Sequence, residues 1–173
     1  LPFLSGDGRT EDDYLYILDI LKLSEADVSD GNVWSAEFQS GLYPLHLVGC
    51  LPPEHFRFVP LYLMARGLRG WNWYMLVNRD NWCNCPINEW GRPNEYYETH
   101  RDTVAIARAV QPWETHELLD LSLLVYKPHR VISPGNFREG FLALESADLS
   151  YDYFDPAAQK QPSGTVLLYS GDD

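Results

Sequence analysis

Apolar positions along the chain repeat with two different periods. In residues 10–23, TEDDYLYILDILKL, Tyr14, Leu15, Leu18 and Leu21 recur every three to four residues behind Thr10 and three acidic side chains. That spacing puts them on one face of a helix. Thr10 can cap its start, and the acids suit its positive N-terminal end. A polar turn at Ser29-Asp30-Gly31-Asn32 precedes VWSAEF, whose weak alternation predicts a short strand. Residues 51–68, LPPEHFRFVPLYLMARGL, predict a helix that starts after Pro52-Pro53 and is kinked or restarted by Pro60.

The next segment has a period of two. In RGWNWYMLVNR, residues 69–79, Trp71, Trp73, Met75 and Val77 fall on one side and Asn72, Tyr74, Leu76 and Asn78 on the other. Large aromatics in that alternation predict a strand. Residues 80–101 have no period and read as a long loop. DTVAIARAVQ, 102–111, alternates through Val104, Ile106 and Val110, with Arg108 out of step, and ELLDLSLLVYK, 117–127, alternates through Leu119, Leu121, Leu123 and Val125. Residues 128–162 read mostly as connection, with a strand at GFLALES, and GTVLLYS (164–170) closes the set. No strand–helix alternation indicates a parallel sheet, and no internal repeat is visible. The fold expected from this pattern is all-β: an antiparallel jelly-roll sandwich, residues 1–173 forming a single domain, with one or two short helices in its connections.

Composition narrows the function. The 173 residues carry a formal charge of −12 and only three lysines, Lys22, Lys127 and Lys160, which argues against nucleic-acid binding through this segment. Cys50, Cys83 and Cys85 are odd in number and do not form a disulfide framework. No apolar run approaches the roughly 20 residues that span a bilayer, and Leu1-Pro2-Phe3-Leu4 is too short for a signal peptide.

The chemical motifs are weak. His116-Glu117-Leu118-Leu119-Asp120 resembles HExxH, but the alternation that follows it implies an extended chain, on which positions i and i+4 cannot share a metal. Cys83-Asn84-Cys85 with His100 lacks a fourth ligand. Asp7, Asp12 and Asp13 lack the spacing of a calcium loop, and no GxSxG elbow supports a Ser/His/Asp triad. No metal or cofactor is expected. The aromatics say more. At 14% of the chain they exceed what the predicted strands absorb: Trp71 and Trp73 suit a core, whereas Trp82, Trp90, Tyr96, Tyr97 and Trp113 lie in or beside the long loop and suit a protein–protein interface.

Four segments, in order, resemble the capsid proteins of picorna-like viruses of the dicistrovirus and iflavirus type. PLYLMARGLRGWNWYMLV (60–77) resembles a helix leading into an RG-aromatic strand, and LLDLSLLVYKPHRVIS (118–133) a later Leu/Val strand. GTVLLYSGDD (164–173) resembles the last jelly-roll strand, which runs into Gly-Asp-Asp-Phe in that family, and SGDGRTEDDYLYILDILKL (5–23) resembles an early helix. The resemblance implies a structural, non-enzymatic subunit of an icosahedral virion, a fragment of a longer chain incomplete at both ends, assembled in the host cytoplasm. Its partners would be other capsid subunits and a host receptor. It also implies that Asp172 and Asp173 promote cleavage of a capsid precursor, two close carboxylates raising one another's pKa so that one donates and the other accepts. Two other classes fit the charge and aromatics: an acidic bacterial immunity or binding protein that neutralises a basic partner, and a hydrolase with an unrecognised triad or carboxylate pair.

Overall fold

The structure, a computed structural model, describes residues 11–28, 32–41, 51–80, 82–132, 134–158, 161–162 and 164–167. Its elements follow in the order α1 (Glu11–Asp27), β1 (Val33–Gln39), α2 (Pro53–Ala65), β2 (Leu68–Tyr74), α3 (Tyr97–Val110), β3 (Leu121–Leu124), α4 (Lys127–Ile132), α5 (Pro134–Ser146), β4 (Tyr151–Phe154) and β5 (Val166–Leu167). Helices therefore separate β1 from β2, β2 from β3 and β3 from β4, and every pairing of these five strands is parallel. Parallel neighbours need a crossover of a dozen or more residues, which the helices supply. This overturns the antiparallel jelly roll: the fold is α/β, with parallel strands in two small sheets.

The chain forms two compact units. The first comprises Leu1–Leu21 with Val33–Thr115, the second Lys22–Asn32 with His116–Asp173, so the division falls inside α1.

In the first unit β1 lies alongside β2, from Val33 opposite Leu68 to Gln39 opposite Tyr74. Helix α2 begins as the proline pair requires: Pro52 is extended, at φ −70° and ψ 154°, and Pro53 occupies the first turn, where no amide hydrogen is needed. Pro60 does not restart it. The helix runs through to Ala65, burying His55, Phe56, Val59, Pro60 and Leu63 on one face. The 102–111 segment, expected to be a strand, is the second half of α3. Its buried residues are His100, Thr103 and Ala107, a helical spacing carried by polar and small side chains. The visible Val/Ile alternation was thus the less buried face, and Val110 is exposed.

In the second unit β3 is central, with β4 on one side (Leu121 opposite Tyr151, Leu124 opposite Phe154) and β5 on the other (Ser122 opposite Val166). GFLALES is helical, not extended: it lies in α5, where Phe141 and Leu144 are buried three residues apart. The first three residues of strand β4 are buried. Tyr151, Asp152 and Tyr153 are at most 2% exposed, and the Ser122 hydroxyl donates to Asp152 Oδ1 at 2.5 Å. A strand covered on both faces shows no alternation, which is why YDYF read as connection. On α1, Lys22 is fully buried, its Nζ 2.8 Å from Glu117 Oε2 and 3.3 Å from Glu25 Oε2. Glu117 thus neutralises a lysine, and residues 116–120 form no helix that could carry a zinc motif.

Candidate functional site

The polar chemistry of the first unit gathers where β1 and β2 end. Ser40, the residue after β1, is held by the backbone: its N–H donates to Tyr74 O at 2.7 Å, and its carbonyl accepts from Met75 N at 3.1 Å. The same carbonyl accepts the Trp82 indole N–H at 2.8 Å and the Cys85 thiol at 3.6 Å. Gly41 makes room for this closure. Its φ is +86°, and a Cβ there would stand 2.5 Å from Cys83 O and 2.6 Å from Cys85 Sγ, so a larger residue would push the loop off the strand end.

From α3, His100 Nε2 lies 2.9 Å from Ser40 Oγ, and Nδ1 lies 2.8 Å from Tyr96 O. A carbonyl only accepts, so Nδ1 carries the proton, and Nε2 of the neutral ring accepts from the serine. Burial lowers the His100 pKa below its ordinary value, partly opposed by the Tyr96 hydrogen bond. Phe56 and Trp73 close around the ring, with centroids 5.7 and 4.8 Å away. Ser40 is fully buried and His100 4% exposed. The pair has the hydrogen bond of a nucleophile and its base, but no substrate carbon could reach the hydroxyl; it fastens β1 to α3.

Outside that clamp lies a cleft of about 520 Å³, bordered by Trp73, Leu76, Pro86 and Ile87 on one side and by Tyr97, His100, Arg101, Val104, Ala105 and Arg108 of α3 on the other. Its walls are aromatic and aliphatic with a few polar groups, the usual make-up of a small-molecule site. The loop after β2 that forms one wall is tightly bonded: Asn78 N donates to Ile87 O at 2.8 Å, and Arg79 and Trp82 exchange backbone hydrogen bonds. A second opening, of about 470 Å³, is lined by Val77, Asn78, Arg79, Asp80 and Glu89 of this loop.

The aromatic residues expected at an interface divide. Trp82 and Tyr96 are buried within the first unit, where Tyr96 OH donates to Leu51 O at 3.1 Å and accepts from Asn84 at 2.5 Å. Trp90, Tyr97 and Trp113 are exposed, and Tyr97 lines the cleft. Asp172 and Asp173, with Asp7, Cys50 and Lys160, lie outside the described residues. Cys83 and Cys85 are free thiols, and burial, with Cys83 nearby, pushes the Cys85 pKa up to about 12. Among the described residues no three His, Cys, Asp or Glu side chains come together as a metal site, and no helix is long and apolar enough to cross a membrane. Sequence reading weighed His100 only as a metal ligand and passed over Ser40, Asp80, Glu89 and Arg108. The helical recurrence of His100, Thr103 and Ala107 was the one signal that could have placed His100 on a buried helix face.

No protein-family model and no curated protein matches the chain. Solved structures do. GH5_18 from Bifidobacterium longum subsp. longum, in complex with Manb1-4GlcNAc, superposes with a TM-score of 0.63 at 16% identity, over 95% of this chain and 46% of that one. A GH5_18 from Bifidobacterium longum subsp. infantis gives 0.60 at 13% identity, over 94% and 44%. The chain thus spans less than half the length of these glycoside hydrolases. At such identities the likeness establishes the fold. It corrects the capsid resemblance, and with it the non-enzymatic virion subunit and the virion location: the neighbours are α/β enzymes, and the segments matched to capsid strands hold β2, β3 and β5, which pair in parallel.

Proposed function

We propose that this chain forms part of a glycoside hydrolase, binding a saccharide in the cleft beyond β2. The observation that carries the reading is the superposition on the GH5_18 structures over 94–95% of a chain built of parallel strands and helices, with the cleft at the C-terminal end of β2. In α/β barrels that end of the strands is where substrates bind and where catalytic side chains from several strands meet. Trp73 and Tyr97 offer flat apolar faces to a sugar ring, and Arg101 and Arg108 offer hydrogen-bond donors to its oxygens.

Glycoside hydrolysis ordinarily takes two carboxyl groups. One protonates the departing oxygen, and the other attacks the anomeric carbon or activates water. Asp80 and Glu89 share the opening after β2. The test is hydrolysis of Manb1-4GlcNAc and of a series of 4-nitrophenyl β-glycosides by the protein and by Asp80→Asn and Glu89→Gln. Loss of turnover by about 10²-fold or more in one or two of these variants, with circular dichroism unchanged, is the expected result. A protein that neither cleaves nor binds any member of the series overturns the reading.

A further inference from the structure

The cleft is lined by two arginines and no carboxylate, in a chain whose formal charge is −12. The two differ in how they are held. Arg101 is engaged by its own helix: its guanidinium pairs with Glu98 and donates to Asp102 Oδ1 at 2.8 Å from Nη2 and 3.1 Å from Nε. Arg108, two turns further along α3, has no hydrogen-bond or ion-pair partner among the described residues. An acidic surface repels anions from most of the molecule, so a free guanidinium beside an aromatic wall marks the place where one can settle. The guanidinium fork matches a carboxylate or phosphate in two parallel hydrogen bonds, which a neutral hydroxyl cannot reproduce.

Resting on the glycoside hydrolase reading, we propose that the cleft selects a saccharide bearing an anionic group, its ring lying against Trp73 and Tyr97 and its charge meeting Arg108. The neighbouring aromatic surface supplies affinity that no bare anion can use, and the arginine supplies the discrimination.

Titration calorimetry on the full chain tests this with methyl β-D-glucuronide, its neutral counterpart methyl β-D-glucoside, glucose 6-phosphate and sulfate, each with wild type and with Arg108→Gln. The side chain of Arg108 is exposed, so the variant should unfold at the wild-type temperature. The expected result is that the glucuronide or the sugar phosphate binds about five- to tenfold more tightly than the glucoside, and that Arg108→Gln removes this advantage by weakening the anionic sugar far more than the glucoside. The stronger of the two anionic sugars identifies the group. Binding of both the glucuronide and the sugar phosphate no tighter than that of the glucoside overturns the inference and leaves the saccharide reading standing. Sulfate binding as tightly as either anionic sugar shows an adventitious ion only and overturns it too. No binding of any sugar overturns both.

Discussion

Replacing Lys22 by methionine should destabilise the second unit more than any surface change could. The ammonium is fully buried, 2.8 Å from Glu117 Oε2 and 3.3 Å from Glu25 Oε2, and 5.9 Å from the centre of the Tyr151 ring. At an effective dielectric of about 20, one charge pair at such a distance is attracted by roughly 6 kcal/mol, most of it offset by the cost of taking the ions out of water. Methionine keeps the volume and removes the charge, so the desolvation of Glu25 and Glu117 remains while its compensation is lost. Breaking one side of a buried pair in this way costs about 3–5 kcal/mol. In a chain of this size each kcal/mol lowers the melting temperature by about 2–4 °C, so the expected drop is roughly 6–20 °C. Urea unfolding followed by circular dichroism gives the free energy directly, with an unchanged m-value showing that the folded state is intact. The combination Lys22→Met, Glu25→Gln and Glu117→Gln should recover most of the loss, because neutral amides no longer demand a counter-charge. A loss below about 1 kcal/mol for the single variant, or a combination no better than the single, would refute the argument.

Three further outcomes are expected. Because burial holds the folded-state pKa of His100 below its ordinary 6.5, the unfolded chain takes up the proton first as pH falls; stability contributed by the neutral ring is complete above that value and is lost below it, and a His100→Gln variant should show a shallower acid decline in urea titrations between pH 7 and 5. With its thiol raised to about 12, Cys85 holds only about one part in ten thousand as thiolate at pH 8, so iodoacetamide and peptide mapping should find it unmodified in the folded protein and modified in urea, with modification in both states counting against the packing described. Gln111 ends α3 in the left-handed region, at φ 53° and ψ 61°, its N–H bonded to Ala107 O at 2.8 Å; Gln111→Gly should raise stability by about 0.5–1 kcal/mol, and a decrease would mean that the side chain contributes more than its backbone conformation costs.

The sequence by itself determined the elements whose side chains report their own environment. The three- and four-residue spacing of Tyr14, Leu18 and Leu21 specified α1, the proline pair specified the start of α2, and the aromatic alternation after Gly70 and the Leu/Val alternation after Asp120 specified β2 and β3. Tertiary structure decided what those strands were for. Strand direction depends on what lies between strands, and two of the intervening helices were obscured. α3 buries His100, Thr103 and Ala107 in place of large aliphatics, and α5 buries only Phe141 and Leu144 within its GFLALES stretch. β4 was obscured for the opposite reason, since a strand buried on both faces, with Asp152 satisfied by Ser122, shows no period at all. Once those helices read as strands or loop, a jelly roll was the consistent but wrong sum. The site was still less legible. Ser40 and His100 are 60 residues apart, and Trp73 and Arg108 belong to different elements; no local spacing encodes a pairing that exists only because parallel β1 and β2 bring their ends against α3.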